Sequence, residues 1–293
     1  MTDRKRLGLG CMKMDLSNRA RSVETVRCAL DEGVTLLNTG DFYGGGESEL
    51  VLREALSGVP RDRYFLSVKF GVLPKPGGGI YGLDVDPFHV KAHLAYSLHR
   101  LGLDYIDLYE PARMDESVPV EELIGALEDC VREGYVRHIG LTQLKAEDLA
   151  RAAKAHPIHT VELDYSLANR SIEKNGVLRT AEENGIRVLA FGVLSHGAVP
   201  GKGEAFAPAL AAIAEEKGTT LEKLLQAYVY AKHPDWSVLV GTTRREHLLD
   251  ALDALTVELT AEDVRRIEDA FPQERRGGGM SELIFRSGRM AQR

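Results

Sequence analysis

Eight short apolar runs, each followed by a longer amphipathic stretch, constrain this chain more than any other feature of its sequence. The runs occupy residues 7–9, 35–38, 65–69, 105–109, 138–141, 160–163, 187–191 and 237–240. They lack the polar alternation of a half-exposed strand. A strand covered on both faces loses that alternation, and such burial is the habit of parallel sheets. Eight units in 293 residues leave about 36 residues each, room for a strand, a helix and two loops.

The intervening stretches carry helix punctuation. Asp86-Pro87 places an N-cap before a proline at the first helical position. Val90, Leu94, Leu98 and Leu101 then share a face, and Gly102 supplies the stop. Val23, Val26 and Leu30 form a similar stripe ending at Gly33. Thr260-Ala-Glu-Asp263 opens a third helix, with Val264, Ile267 and Phe271 on one side. Residues 205–230 hold two helical stretches divided by Lys217-Gly218, which gives one unit an extra helix or a long loop. The glycine-rich segments 44–46, 77–79 and 277–279 are short and read as functional loops, not domain boundaries. The expected architecture is α/β: a single-domain (β/α)8 TIM barrel over residues 1–293, with a C-terminal loop or tail at about 271–293. A doubly wound open sheet is the structural alternative.

Bulk properties narrow the function. The chain is 44% hydrophobic and 28% charged, as soluble globular proteins are. A net charge of −7 argues against nucleic-acid or membrane-surface partners. Cys11, Cys28 and Cys130 form neither a CxxC nor a metal-ligand spacing, so they read as reduced thiols of a cytoplasmic protein without a metal site. No signal peptide is visible at residues 1–6, and no apolar run approaches the roughly 18 residues of a membrane span. Gly8-x-Gly10 meets Lys13 where a dinucleotide fingerprint needs glycine. Ser195 and His196 are sequence neighbours whose side chains diverge, which disfavours a hydrolase. The short basic pairs are scattered along the chain.

In a barrel of this kind the chemistry collects where strands end and loops begin. Lys69 closes an apolar run, an unusual place for a solvated charge; the plain alternative is a lysine snorkelling at a strand edge. The functional reading is an ammonium beside a phenol, lowering the phenol's pKa and making it a better acid near neutral pH, and Tyr43 is the candidate phenol.

These residues sit in stretches that carry a resemblance. They are Gly8-Leu-Gly-Cys-Met12, Leu37-Asn-Thr-Gly-Asp-Phe-Tyr-Gly44, Val68-Lys-Phe-Gly71, Ser97-Leu-His-Arg-Leu-Gly-Leu-Asp-Tyr-Ile-Asp-Leu-Tyr109, Gly134-Tyr-Val-Arg-His-Ile-Gly140, Tyr165-Ser-Leu167 and Gly241-Thr-Thr-Arg-Arg-Glu-His-Leu248. In order and spacing the chain resembles the aldo-keto reductase family over nearly its whole length. The resemblance implies an NADP(H)-dependent carbonyl reductase on a (β/α)8 barrel, with a tetrad of aspartate, tyrosine, lysine and histidine.

Carried over position by position, the tyrosine falls on Tyr43 and the lysine on Lys69. Asn38 stands at the aspartate position and Ala112 at the histidine position. Asn38 can still hydrogen-bond the lysine through its amide oxygen but brings no charge, while Ala112 can donate nothing. A branch of the family resembling pyridoxal reductases also carries asparagine there. Glu110 lies two residues before Ala112 and faces the same way in a strand. Protonated, it would replace the missing donor; alternatively it pairs with Arg113 at the barrel mouth.

The resemblance also implies the cofactor contacts. Gly10 and Met12 fall in the first matching stretch. Thr142 and Gln143 occupy the place of the serine-asparagine pair that holds the nicotinamide carboxamide, and Glu162 a third position where glutamine is usual. Phe191 sits where an aromatic ring stacks on the nicotinamide, and Gly192 and Leu194 lie along the pyrophosphate path. Gly241, Thr242, Thr243, Arg244 and His247 match the adenosine-phosphate segment, whereas Ala251 replaces an asparagine near the adenine.

The expected function is reduction of a small aldehyde or ketone, or oxidation of the corresponding alcohol, with Tyr43 moving the proton, Lys69 tuning it and Asn38 positioning Lys69. The alternative is an NADP(H)-binding barrel with little turnover, a sensor or scaffold. A non-redox isomerase or lyase has no residue in its favour. Specificity is expected in the loops 73–83 and 196–206 and in the tail 271–293. Neither the substrate nor an oligomeric state is written in a motif.

Overall fold

The structure, a computed structural model, describes residues 4–77, 79–195, 207–271, 285–286 and 289–290. Eight parallel strands close into a barrel: β1 (Leu7–Gly10), β2 (Leu36–Gly40), β3 (Phe65–Phe70), β6 (Ile106–Pro111), β7 (Val136–Thr142), β8 (Ile158–Asp164), β9 (Arg187–Phe191) and β10 (Ser237–Gly241). Each stands where an apolar run is found, its ends shifted by no more than two residues. The seam closes through β1, which pairs with β10 and with β2. Gly8 makes room there, since a Cβ would lie 2.7 Å from Leu36 Cδ2 and 2.8 Å from Leu239 Cδ2.

Helices α1 (Arg19–Asp31), α2 (Glu47–Ala55), α3 (Val90–Leu101), α4 (Val120–Arg132), α5 (Ala146–Ala155) and α6 (Val177–Glu183) bury their apolar stripes against the barrel. The unit after β9 holds two, α7 (Ala207–Glu216) and α8 (Leu221–Lys232), separated at Gly218 as the sequence suggests. α9 (Arg245–Asp253) follows β10. α10 (Ala261–Asp269) opens on the expected capping box, in which Asp263 Oδ2 accepts the Thr260 N–H at 2.8 Å.

Two expectations change. α3 begins at Val90, not at Pro87. Asp86 instead accepts the Phe88 N–H at 2.9 Å and closes a turn ahead of the helix. Residues 73–83 are not an open loop: β4 (Val72–Pro74) and β5 (Ile80–Leu83) pair antiparallel as a hairpin. His93 on α3 anchors this region, with Nδ1 3.0 Å from Asp41 and Nε2 3.5 Å from Asp84. Residues 285–286 and 289–290 form a second small antiparallel pair. The rest of the expected tail beyond Phe271 and the whole 196–206 loop lie outside the described residues. Among the described residues no helix is long and apolar enough to cross a membrane, and no cluster of three or more His, Cys, Asp or Glu side chains could hold a metal.

Candidate active site

The ends of β2, β3, β6, β7 and β8 bring a polar layer into the barrel. Register sets Lys69 beside Gly40 and Glu110, and Thr142 beside Glu162. Period-2 alternation then sends Ser67 and Lys69 to the same face. Lys69 Nζ donates to Asn38 Oδ1 at 2.6 Å and to both Glu162 oxygens at 2.9 Å. Asn38 Nδ2 donates to Glu162 Oε2 at 2.8 Å and to Ser67 Oγ at 3.0 Å. Ser67 Oγ passes the chain on to Glu110 Oε1 at 2.7 Å, and Thr142 Oγ1 reaches Glu110 Oε2 at 3.3 Å. The pattern is consistent in direction, and it settles which end of the Asn38 amide faces the lysine.

All four charged or amide groups are buried: Asn38 2%, Lys69 4%, Glu110 0% and Glu162 2% exposed. Burial penalises the Lys69 ammonium, but Glu162, Tyr43 and Glu110 outweigh it and hold its pKa above the usual lysine value. Burial, joined by the neighbouring Glu162 charge, pushes Glu110 up to about 8 against the pull of Lys69 and Ser67. Burial thus favours the neutral form of Glu110 beside the Lys69–Glu162 ion pair.

Tyr43 is half-buried just beyond β2, its ring packed edge-on against Phe42 with centroids 4.6 Å apart. Gly44, Gly45 and Gly46 turn the chain there with φ of +59°, +66° and +97°, a conformation only glycine adopts without strain. Lys69 Nζ lies 5.8 Å from the ring centroid. Burial raises the Tyr43 pKa and Lys69 lowers it, with burial the larger. The ammonium therefore acts in the direction the sequence suggests without bringing the phenol below its ordinary value.

Glu110 does not pair with Arg113. β6 ends at Pro111, the chain bends at Ala112 and Arg113, and Arg113 donates instead to the Ala112 carbonyl at 2.6 Å. The Arg113 guanidinium is buried, its pKa lowered by that burial, and it feels the charges of Glu162, Tyr43 and Asp164. Ala112 is buried as well, its N–H bonded to the Phe70 carbonyl at 2.9 Å. Sequence reasoning missed Ser67 as a relay and Arg113 as a neighbour of Tyr43. It also missed the bond from Lys69 to Glu162, although an acid inside an apolar run was a signal to follow.

Gly140 makes space for this layer, since a Cβ there would lie 2.8 Å from Glu110 Oε2 and 3.2 Å from Glu110 Cβ. Gly140→Ala is therefore expected to cost about 1–3 kcal/mol by overpacking and to displace Glu110. Urea unfolding checks the first effect; an unchanged midpoint would mean that the layer yields freely.

The model of the aldo/keto reductase family matches residues 6–271. The chain belongs to the aldo-keto reductase family. A probable aldo-keto reductase 1 from Glycine max is 29% identical over 297 residues, covering 91% of this chain and 85% of its own. A thermostable aldo-keto reductase solved with the inhibitor epalrestat superposes with a TM-score of 0.81 at 25% identity, over 90% of this chain and 94% of its own. An aldo/keto reductase from Klebsiella pneumoniae, solved with NADP and acetate, gives 0.77 at 26% identity over 92% of each chain.

In this aldo-keto reductase the remaining expected residues lie at or just after the ends of β1, β7, β9 and β10. Gly10 and Gly241 are register partners, and a Cβ on Gly10 would lie 3.3 Å from Gly241 Cα. Met12 is exposed at the rim. Thr242 Oγ1 accepts the Arg244 N–H at 3.0 Å just before α9, and Thr243 beside it is half-buried. Arg244 and His247 are exposed, and Arg244 makes no ion pair among the described residues. Arg245 reaches back to the Cys28 thiol on α1. Phe191 ends β9 half-buried, and Gly192 and Leu194 follow in a turn closed by the Ser195 N–H on the Gly192 carbonyl. Gln143 has a φ of +48°; its Oε1 accepts the Asp164 N–H at 2.8 Å, and its buried Nε2 has no partner among the described residues.

Proposed function

We propose that this protein is an NADP(H)-dependent reductase of small aldehydes or ketones in which Tyr43 gives the proton to the carbonyl oxygen, or takes it in the reverse direction. The observation that carries the reading is the Lys69 ammonium, held by Asn38 and Glu162 and 5.8 Å from the Tyr43 ring centroid. A cation so placed stabilises negative charge developing on the phenolate as the proton leaves. Ala112 itself supplies no second donor at the histidine position. Glu110 does not supply one at the mouth, because it is fully buried and bonded to Ser67 and Thr142.

The residues present suit the cofactor. When bound, NADP(H) supplies the hydride. Gln143 Nε2 is a buried donor free to meet a carboxamide oxygen. Gly241, where a Cβ would meet only the Gly10 carbonyl oxygen at 3.9 Å, leaves its backbone open to close approach by a ligand. The N-terminus of α9 and the exposed Arg244, without an ion pair among the described residues, suit a phosphate on the ribose. Thr142, whose hydroxyl is spent on Glu110, contributes less than Gln143. Glu162 is buried and occupied by Lys69 and Asn38. The alternative reading, a cofactor-binding barrel with little turnover, rests on the missing donor at Ala112.

Arg244→Ala is expected to weaken NADPH binding by about 1.5–3 kcal/mol, or ten- to a hundredfold, and NADH binding little. Fluorescence titration of both proteins with both cofactors checks it. Equal losses for NADPH and NADH would remove Arg244 from the phosphate site.

A further inference from the structure

We infer that Glu162 is the counter-ion and positioning residue of Lys69, so that the negative charge absent from β2 at Asn38 is supplied across the barrel from β8. The inference rests on the reading of Tyr43 and Lys69 above, and it changes the meaning of Asn38.

A buried ammonium needs both a charge partner and filled hydrogen-bond positions, or its desolvation goes uncompensated. Lys69 has one ion pair among the described residues, with Glu162. Both carboxylate oxygens stand 2.9 Å from Nζ, and the Asn38 oxygen supplies a third acceptor at 2.6 Å. The three acceptors match the three N–H bonds of an ammonium. Glu162 and Asn38 therefore fix where the lysine points, and with it the field at Tyr43.

Asn38 and Glu162 are also matched to each other. The Asn38 amide bridges the pair, giving its oxygen to Lys69 and its Nδ2 hydrogens to Glu162 Oε2 at 2.8 Å and to Ser67 at 3.0 Å. A carboxylate at residue 38 would lose both donations and set two negative oxygens within bonding distance of each other. Ser67 would then lose the donor that lets it pass its own proton to Glu110. Given a glutamate at residue 162, asparagine suits residue 38 better than aspartate. The pair behaves as one unit whose charge has changed strands, and Glu162 acts through Lys69 without having to touch substrate.

The test is a charge exchange, measured as kcat, NADPH dissociation constant and urea midpoint on purified full-length protein. Glu162→Gln removes the charge and is expected to lower kcat by about ten- to a hundredfold, the scale of a lost charge-assisted hydrogen bond. Asn38→Asp adds a second carboxylate and is expected to lower kcat as well. The double variant Asn38→Asp with Glu162→Gln restores one negative charge to Lys69 and gives the new amide a carboxylate to bond. Its kcat is expected to rise well above both single variants, with the urea midpoint recovering in parallel.

Losses that multiply in the double variant would overturn the inference. So would a Glu162→Gln protein with wild-type kcat, or one whose whole defect lies in NADPH affinity. If Glu162→Gln does not fold, the comparison of Asn38→Asp with the double variant carries the same decision. The reading of Tyr43 fails separately: a wild type without turnover, whose double variant still regains the lost stability, keeps the ion pair and removes the reaction.

Discussion

Tyr43→Phe is expected to lower kcat for carbonyl reduction by about 10²–10⁴-fold, the usual worth of a positioned proton-transfer group, while NADPH affinity stays at the wild-type level. The substitution removes one oxygen. The ring keeps its edge-on packing against Phe42, and the three-glycine turn that sets its place is untouched. The loss should be near the upper end of that range, because Ala112 leaves no donor at the histidine position to take over the carbonyl oxygen. Steady-state turnover with a fluorescence titration of NADPH separates chemistry from binding. A variant that keeps its kcat would take the proton transfer away from Tyr43.

The second large effect is on stability. Lys69→Met removes the cation from a site where Glu162 is 2% exposed. Removing one partner of a buried pair typically costs about 3–5 kcal/mol, because the other charge is left uncompensated. Urea unfolding is expected to show a loss of that size, together with loss of turnover. Adding Glu162→Gln removes the orphaned charge, so the Lys69→Met, Glu162→Gln protein is expected to regain most of the stability and none of the activity. A single variant as stable as wild type would mean that water or a neighbouring cation already compensates Glu162.

Much of the fold was legible because two-sided burial leaves a plain mark: runs without alternation at 65–69 and 187–191 became β3 and β9. The Thr260–Asp263 box was legible because its bonds are local. What was misread depended on distant partners. Pro74 and the glycines after it look like an open loop, yet strand pairing from Ile80–Leu83 folds the segment into a hairpin. Adjacency suggested a Glu110–Arg113 pair, but the chain bends after Pro111, Arg113 donates to the Ala112 carbonyl, and Glu110 is taken by Ser67 and Thr142. Within the site, Lys69 stood out as a charge closing an apolar run, with Tyr43 as its candidate phenol, and the family resemblance pointed to Asn38. The partnership of Lys69 with Glu162 spans 93 residues and five strands of chain order, from β3 to β8, and only barrel closure brings the two together.

The most direct test of the account is stoichiometry: NADPH consumed against alcohol formed by the wild-type protein at pH 7, over a panel of aliphatic and aromatic aldehydes and simple ketones. Sustained, saturable NADPH consumption is expected, with one alcohol formed per NADPH for at least one class of carbonyl. Tight NADPH binding with no alcohol from any member of the panel would contradict it and leave a cofactor-binding barrel that does not turn over.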